Sequence, residues 1–219
     1  QDMGGRAPGS VPGDSTEIYQ EGLILPGIKF VKEGRIQEDI FKLILANVRG
    51  SEERAGDYRA QVAANNLGMK SLEELTDRYG KRTLEAYMGH ILDYTESRFR
   101  AKIRAIPEGT YEGVDYLDND GITDEPIRIA VRLSVRNSDI TIDFSGSDRQ
   151  REGPMNGALS CTYSASAYML RCLIDPELPT NDGFYRPLHI IAPGGLVVNP
   201  RPPAPVASIW EIGQRILSQ

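Results

Sequence analysis

The apolar pattern of this chain changes its period at Pro107-Glu108-Gly109, and that change divides what the two halves can become. Before it, apolar residues recur at helical spacing. Ile40, Phe41, Ile44, Leu45 and Val48 form one stripe of a helix that begins near Gln37. Gly50 breaks it, and Ser51, followed by Glu52 and Glu53, caps a second helix expected to run to Leu67 and stop at Gly68. Ser71 caps a short helix to Tyr79, Gly80 stops it, and a longer helix carries Leu84, Tyr87, Met88, Ile91, Tyr94, Arg98 and Phe99. Ahead of these, Leu23 to Ile36 reads as extended chain with a tight turn at Glu33-Gly34.

After Gly109 the alternation becomes that of strands. Residues 110–118 and 127–135 read as strands, and 140–144 pairs with the latter across Arg136-Asn137-Ser138-Asp139. Residues 157–174 are apolar enough for a buried helix. Strands are expected at 188–191 and 196–198 around Pro193-Gly194-Gly195, then an extended path through Pro200, Pro202, Pro203 and Pro205, then a helix from Ala207. The class is α+β: a helix-rich half, 1–108, that opens with a Gly-rich loop, and a strand-rich half, 109–219, with a mixed or antiparallel sheet and a buried helix.

Composition narrows the function classes. The 219 residues carry a net charge of −6 with Lys and Arg scattered, so no basic stripe points to nucleic acid or anionic membrane. No apolar run reaches the roughly 18–20 residues of a membrane span. Cys161 and Cys172 lie in one expected helix, about 16 Å apart along its axis. A disulfide needs Cα atoms within about 7 Å, so both thiols are expected reduced and the cytoplasm is the default compartment.

Several motifs fail on chemistry. Asp118-Asn119-Asp120-Gly121 resembles the middle of an EF-hand, but Tyr116 and Ile127 occupy the first and last ligand positions. A solvated hairpin turn is the better reading. Neither a phosphate-binding Gly-x-x-x-x-Gly-Lys-Ser/Thr nor a dinucleotide Gly-x-Gly-x-x-Gly occurs, so any ATP is bound by another segment or subunit. The histidines, His90 and His189, read as packed or surface residues before they read as bases, and Ser160-Cys161 lacks the glycines of a nucleophile elbow.

The first 22 residues are different. Asp2 lies in a Gly-rich loop of the kind that brings backbone close to a ligand, where it would ligate a divalent metal or orient a nucleophilic water. A turn-forming Asp is the commoner case. Glu17 and Glu21 are spaced to share one face of a helical turn, and Asn47, Arg49, Asp57 and Gln61 form a polar set at helix ends. Arg49 suits bidentate grip of a carboxylate or phosphate. Asp143-Phe144-Ser145-Gly146-Ser147 and Gly153-Pro154-Met155-Asn156 are polar turns after a strand, plainly read as structural.

In order, the blocks Asp2-Met3-Gly4-Gly5 with Pro8-Gly9-Ser10, Glu17-Ile18-Tyr19-Gln20-Glu21-Gly22-Leu23, Asn47-Val48-Arg49 and residues 56–64 (Gly-Asp-Tyr-Arg-Ala-Gln-Val-Ala-Ala) resemble the hydantoinase B/oxoprolinase family. Residues 143–147 and 153–156, Asn181-x-Gly183 with Arg186-Pro187, and 193–200 complete the series, which spans nearly the whole chain. The resemblance implies the B-type subunit of an ATP-dependent hydantoinase or oxoprolinase. Such a subunit opens a small-molecule cyclic amide after an A-type partner with an actin-like ATPase fold has activated it by phosphorylation, and the two form a hetero-oligomer. The alternatives are a subunit of an ATP-dependent ketone carboxylase on the same scaffold, or a non-catalytic docking part of such a complex. Asp2 matches the Asp of the family's metal-binding His-x-x-Asp motif, with Zn, Mn or Mg as the ion; the matching His would precede Gln1. The catalytic candidates are Asp2, Glu21, Asp57 and Gln61; the substrate contacts are Arg49, Asn156 and Arg186. With no initiator Met, and with B-type chains roughly twice as long, the 219 residues are expected to be an internal fragment that folds poorly alone.

Overall fold

The computed structural model describes residues 2–218. A small hairpin, β1 (Val31–Lys32) and β2 (Arg35–Ile36), turns at Glu33-Gly34 and leads into helices α1 (Glu38–Ala46), α2 (Ser51–Tyr79) and α3 (Lys81–Ile103). Strands β3 (Gly109–Leu117), β4 (Ile127–Arg136) and β5 (Asp139–Asp143) form an antiparallel meander. Helix α4 (Leu159–Ile174) then crosses over to β6 (Leu188–Ile191), which lies parallel to β5, and α5 (Ile209–Ser218) follows. The sheet order is β3-β4-β5-β6, so the mixed sheet of the expected α+β class is present.

The core lies on one face of this sheet. Directly opposed residues share a face, so the pairs Leu117–Ile127, Leu133–Ile142, Val135–Ile140 and Ile140–Leu188 all point the same way. Against them pack Phe99 and Ile103 of α3, Leu170 of α4, and Ile212 and Ile216 of α5. Each such fully buried side chain contributes about 1.5–3 kcal/mol. Phe99 stacks on Phe184 with centroids 4.4 Å apart. The opposite face is polar: Glu112, Arg132 and Asp143 form one row across three strands, and Arg132 Nε donates to Glu112 at 2.9 Å.

Turn chemistry sets the register. Asn137 and Ser138 have φ of 52° and 78°, the left-handed pair that matches strand twist in a tight hairpin. Residues 143–147 form the structural turn expected of them. Asp143 Oδ1 accepts from Ser145 N, Phe144 is fully buried, and the Ser147 hydroxyl accepts from Ala130 N and donates to Ala130 O, standing in for a strand neighbour.

Several boundaries differ from the sequence reading. Helix α2 does not end at Gly68; it continues through Gly68 and Ser71 to Tyr79. An interior glycine costs a helix only about 1 kcal/mol, too little to stop it without a competing turn. Ser51 is the first helical residue rather than its cap. Gly50, at φ 61°, holds the cap position. Residues 196–198 make only isolated bridges, from Leu196 to Arg149 and Asn199. Helix α4 is buried on one face only: Ala165, Ala167 and Leu170 point inward, whereas Tyr168 and Leu173 are 62% and 76% exposed. Asp120 is not in a solvated turn. It is buried, and it accepts from the N–H groups of Ile122 and Thr123 and from Gly153 N. Both thiols are free, as expected. Among the described residues, no helix is long and apolar enough to cross a membrane.

One ion pair ties the helical half to the sheet half. Arg98 of α3 donates to both oxygens of Asp175, at 2.6 and 2.9 Å, just past the end of α4. The guanidinium holds the Asp175 carboxyl below its ordinary value of 3.8. Its stabilisation is therefore complete above that value and is lost as the pH falls through the lowered one. Asp175→Asn should cost about 2 kcal/mol near neutrality. In urea unfolding, the deficit relative to wild type should shrink on the acid side of the ordinary carboxylate range. A deficit constant with pH would show that the pair is not its source.

Candidate functional site

The Gly-rich start folds into a loop whose two legs run side by side. Arg6 N donates to Gln20 O at 2.7 Å and Leu23 N to Met3 O at 2.8 Å. The legs touch so closely that two positions admit only glycine. A Cβ on Gly4, at φ +87°, would lie 2.3 Å from the Asn47 carbonyl oxygen at the end of α1. On Gly5, at φ +80°, it would lie 2.6 Å from the Glu21 backbone. Left-handed φ and backbone-to-backbone contact together exclude any side chain here.

Asp2 is held inside this loop. Oδ1 accepts from Gly4 N and Oδ2 from Gly9 N, each at 2.8 Å, and Arg49 lies 3.6 Å from Oδ1. The Gly9 and Gly4 N–H groups, and to a lesser degree Arg49, keep the Asp2 carboxyl below its usual range. It is an oriented carboxylate at neutral pH. Ser10 fastens the same turn, accepting from Met3 N at 2.7 Å and donating to Gly4 O at 3.1 Å.

Arg49 is the clasp. Its guanidinium donates to the carbonyls of Gly4 (3.3 Å), Ala7 (3.0 Å) and Gly5 (2.6 Å). The bidentate grip expected of it is thus directed at the loop's own backbone. Asp57, one turn into α2, pairs with Arg54 at 3.0 Å. Gln61, a turn further, lines an open groove of about 410 Å³ with Leu25, Ile28, Phe30, Tyr58 and Val62. Tyr58 joins that groove to the loop: its hydroxyl lies 3.4 Å from Met3 Sδ, and its ring packs on Phe30 and Phe41.

Glu21 lies under the loop, 8% exposed. Its carboxylate accepts from Ser15 Oγ at 2.8 Å and from Val206 N and Ala207 N at 2.9 Å. Asn156 is fully buried, with every amide position used. Nδ2 donates to the carbonyls of Arg151, Gly153 and Pro205, and Oδ1 accepts from Arg151 N. Arg186 is distant in the fold, paired with Asp93 and Glu96 of α3 at 2.7 and 2.9 Å. The fold therefore gathers Asp2, Arg49 and Glu21 around one loop, with Asp57 and Gln61 on the adjoining helix. Asn156 connects only through the 205–207 backbone, and Arg186 belongs to another surface.

The sequence reading missed Ser10, Ser15 and Asn47 as loop partners. A usable signal existed for Glu21: Pro202, Pro203 and Pro205 have no N–H, so Val206 and Ala207 bring the first paired donors after them. His90 stacks edge-on with Tyr87, and His189 sits on the polar sheet face 3.6 Å from Asp139, neither near Asp2's partners. As for a metal, Asp2 is ionised and retains lone pairs, so it suits one position of a divalent-ion site. Among the described residues, no three His, Cys, Asp or Glu side chains converge, so they do not compose such a site by themselves.

Arg49→Ala would leave three loop carbonyls without their donor. Hydrogen exchange at the amides of Met3, Gly4 and Gly9 should then quicken at least tenfold, while the sheet amides of β4 keep their protection. Unchanged exchange in the loop would mean that the glycine contacts hold it without the clasp.

The profile of the Hydantoinase B/oxoprolinase family matches residues 1–219. An uncharacterized protein of Methanocaldococcus jannaschii is 39% identical over 217 residues, 99% of this chain and 38% of its own length. The 5-oxoprolinase of Dictyostelium discoideum is 32% identical over 206 residues, 91% of this chain and 16% of its own length. The crystal structure of ATP-dependent caprolactamase from Pseudomonas jessenii superimposes with a TM-score of 0.92 at 29% identity, covering 99% of this chain and 38% of that one. The chain thus spans well under half the length of these relatives. The ordered motifs, the glycine-lined Asp2 loop and the whole-chain profile match agree: this chain belongs to the hydantoinase B/oxoprolinase family.

Proposed function

We propose that this chain is part of the B-type subunit of an ATP-dependent cyclic amidohydrolase of the hydantoinase or 5-oxoprolinase kind. It would act on a ring amide that an A-type ATPase partner has phosphorylated. An unactivated amide is a poor electrophile at neutral pH. Transfer of a phosphoryl group to its oxygen turns that oxygen into a leaving group, after which water can add to the carbon and phosphate can depart.

The observation that carries this reading is the Asp2 carboxylate. It is ionised, oriented by two backbone N–H groups, and seated in a loop that tolerates no side chain at Gly4 or Gly5. A carboxylate so placed orients a water or offers one ligand to a divalent ion, which would supply Lewis-acid activation when bound. Arg49 and Ser10 hold the loop's shape, Glu21 anchors its floor, and Asp57 and Gln61 form the adjacent wall. Asn156 and Arg186 act on the scaffold around that site. The ATPase partner, the metal and a cytoplasmic hetero-oligomer are parts of this proposal. They are supported by the ATP dependence of the related caprolactamase and by the lack of a phosphate loop in the sequence.

The test uses the full-length protein with its ATPase partner, ATP, labelled bicarbonate, and a panel of hydantoins, 5-oxoproline, lactams and small ketones. Ring-opened amino-acid products without label are expected. Label fixed into a keto acid would replace the reading with ketone carboxylation. Asp2→Asn should lower kcat by at least a hundredfold with subunit assembly intact. Full turnover in that variant would make this segment a docking part instead.

A further inference from the structure

Helix α2 carries a seam that nothing in its own fold covers. Tyr58, Val62, Asn65, Met69, Leu72, Thr76 and Tyr79 recur at alternating spacings of four and three, the heptad pattern by which one helix packs along another. At its base the seam is partly housed: Tyr58 packs on Phe30 and Phe41, and Val62 and Asn65 edge the open groove with Leu25, Ile28 and Gln61. Beyond Asn65 it is bare. Met69, Leu72 and Tyr79 are 58%, 46% and 55% exposed, and α3 does not cover them. The two helices leave an apolar groove between them near Gly80, lined by Leu75, Tyr79, Leu84 and Tyr87, and Met88 and Ile91 remain exposed.

We propose that this arm is a homotypic interface in which α2 pairs antiparallel with α2 of a second copy about a two-fold axis. The pattern is self-complementary in that arrangement. Laying the helix against its own reverse brings Val62 opposite Leu72 of the second copy and Asn65 opposite its Met69, and each pair occurs twice. The open groove at the base of one α2 then receives the apolar tip of the other.

The flanking positions agree in the same register. Arg59 and Glu73, both exposed, each follow a seam residue by one. Antiparallel pairing sets Arg59 against Glu73 of the second copy, twice over, whereas parallel pairing sets like charges together. Gly68 lies beside the seam near the midpoint, and a Cβ there would meet nothing within 4 Å. The fold itself makes no use of this mid-helix glycine, and the axis passes nearby, where two backbones approach most closely.

The area also suffices. Met69, Leu72, Leu75, Tyr79, Tyr87, Met88 and Ile91 are each about half exposed, at roughly 100 Å² apiece. Together they offer roughly 700 Å² per copy, close to the roughly 800 Å² a side of a standard stable interface. A two-fold contact uses the same patch on both copies, and this patch matches itself in shape, polarity and charge.

The test is made on the full-length protein, purified with its bound subunits, by sedimentation and native mass spectrometry. Met69→Asp combined with Leu72→Asp should halve the number of copies per assembly while each copy keeps any other subunit it carries. Arg59→Glu and Glu73→Arg should each weaken self-association at least tenfold, and the two together should restore it. Both charge positions are exposed, so these variants fold whatever the double-Asp protein does. An unchanged copy number in the double-Asp variant with helical content intact would overturn the proposal. So would failure of the paired charge swap to restore association. Loss of a different subunit with the copy number unchanged would assign the arm to that subunit instead.

Discussion

The Glu21 carboxylate holds the two ends of this structure together. Taking a carboxylate out of water costs several kcal/mol unless donors replace the lost solvent. Here Val206 N, Ala207 N and the Ser15 hydroxyl do so at 2.8–2.9 Å, as charge-assisted hydrogen bonds. The acceptor lies near the start of the chain and the donors lie just before α5. Neighbouring bonds reinforce the join: Ile18 N donates to Pro203 O, Asn156 to Pro205 O, and Ser208 N to Pro154 O. A proline-rich segment that supplies few donors of its own is thus gripped from both sides, and α5 is delivered onto the sheet at Ile212 and Ile216.

The Asp2 loop depends on that join. Its second leg contains Glu21, so whatever fixes Glu21 fixes the backbone on which Gly5 rests. From there the chain of contacts is short: glycines let the legs touch, Arg49 draws three carbonyls together, and the Gly4 and Gly9 N–H groups aim the carboxylate. The site is preorganised by backbone rather than by a shell of side chains. This explains why the most polar-looking candidates, Arg49, Glu21 and Asn156, prove to be occupied with main-chain groups.

Much of the fold was legible because local chemistry and tertiary demand agree. The meander 109–143, with its left-handed Asn137-Ser138 turn, follows from alternation and turn residues. So do the stop at Gly80 and the hairpin at Glu33-Gly34. The continuity of α2 was not legible, because Gly68 and Ser71 look like punctuation when no neighbour is in view. The burial of Asp120 was also hidden, since its partner Gly153 comes from a loop beyond two further strands. At the site, Asp2 and its glycines stood out by composition. That Arg186 would be spent on Asp93 and Glu96 could not be read from its motif.

By itself, then, the sequence determined the α+β division at Gly109, the period of each element, and a glycine-rich acidic loop with family-specific blocks. These are properties of neighbours within a few residues, where sterics and side-chain periodicity act. Only the tertiary structure decided which polar groups are free for chemistry and which are consumed by the fold. That outcome rests on pairs such as Glu21 with Val206 and Arg98 with Asp175, whose members are far apart in sequence. A buried donor or acceptor must find a partner somewhere, and where that partner comes from is a property of the packed chain.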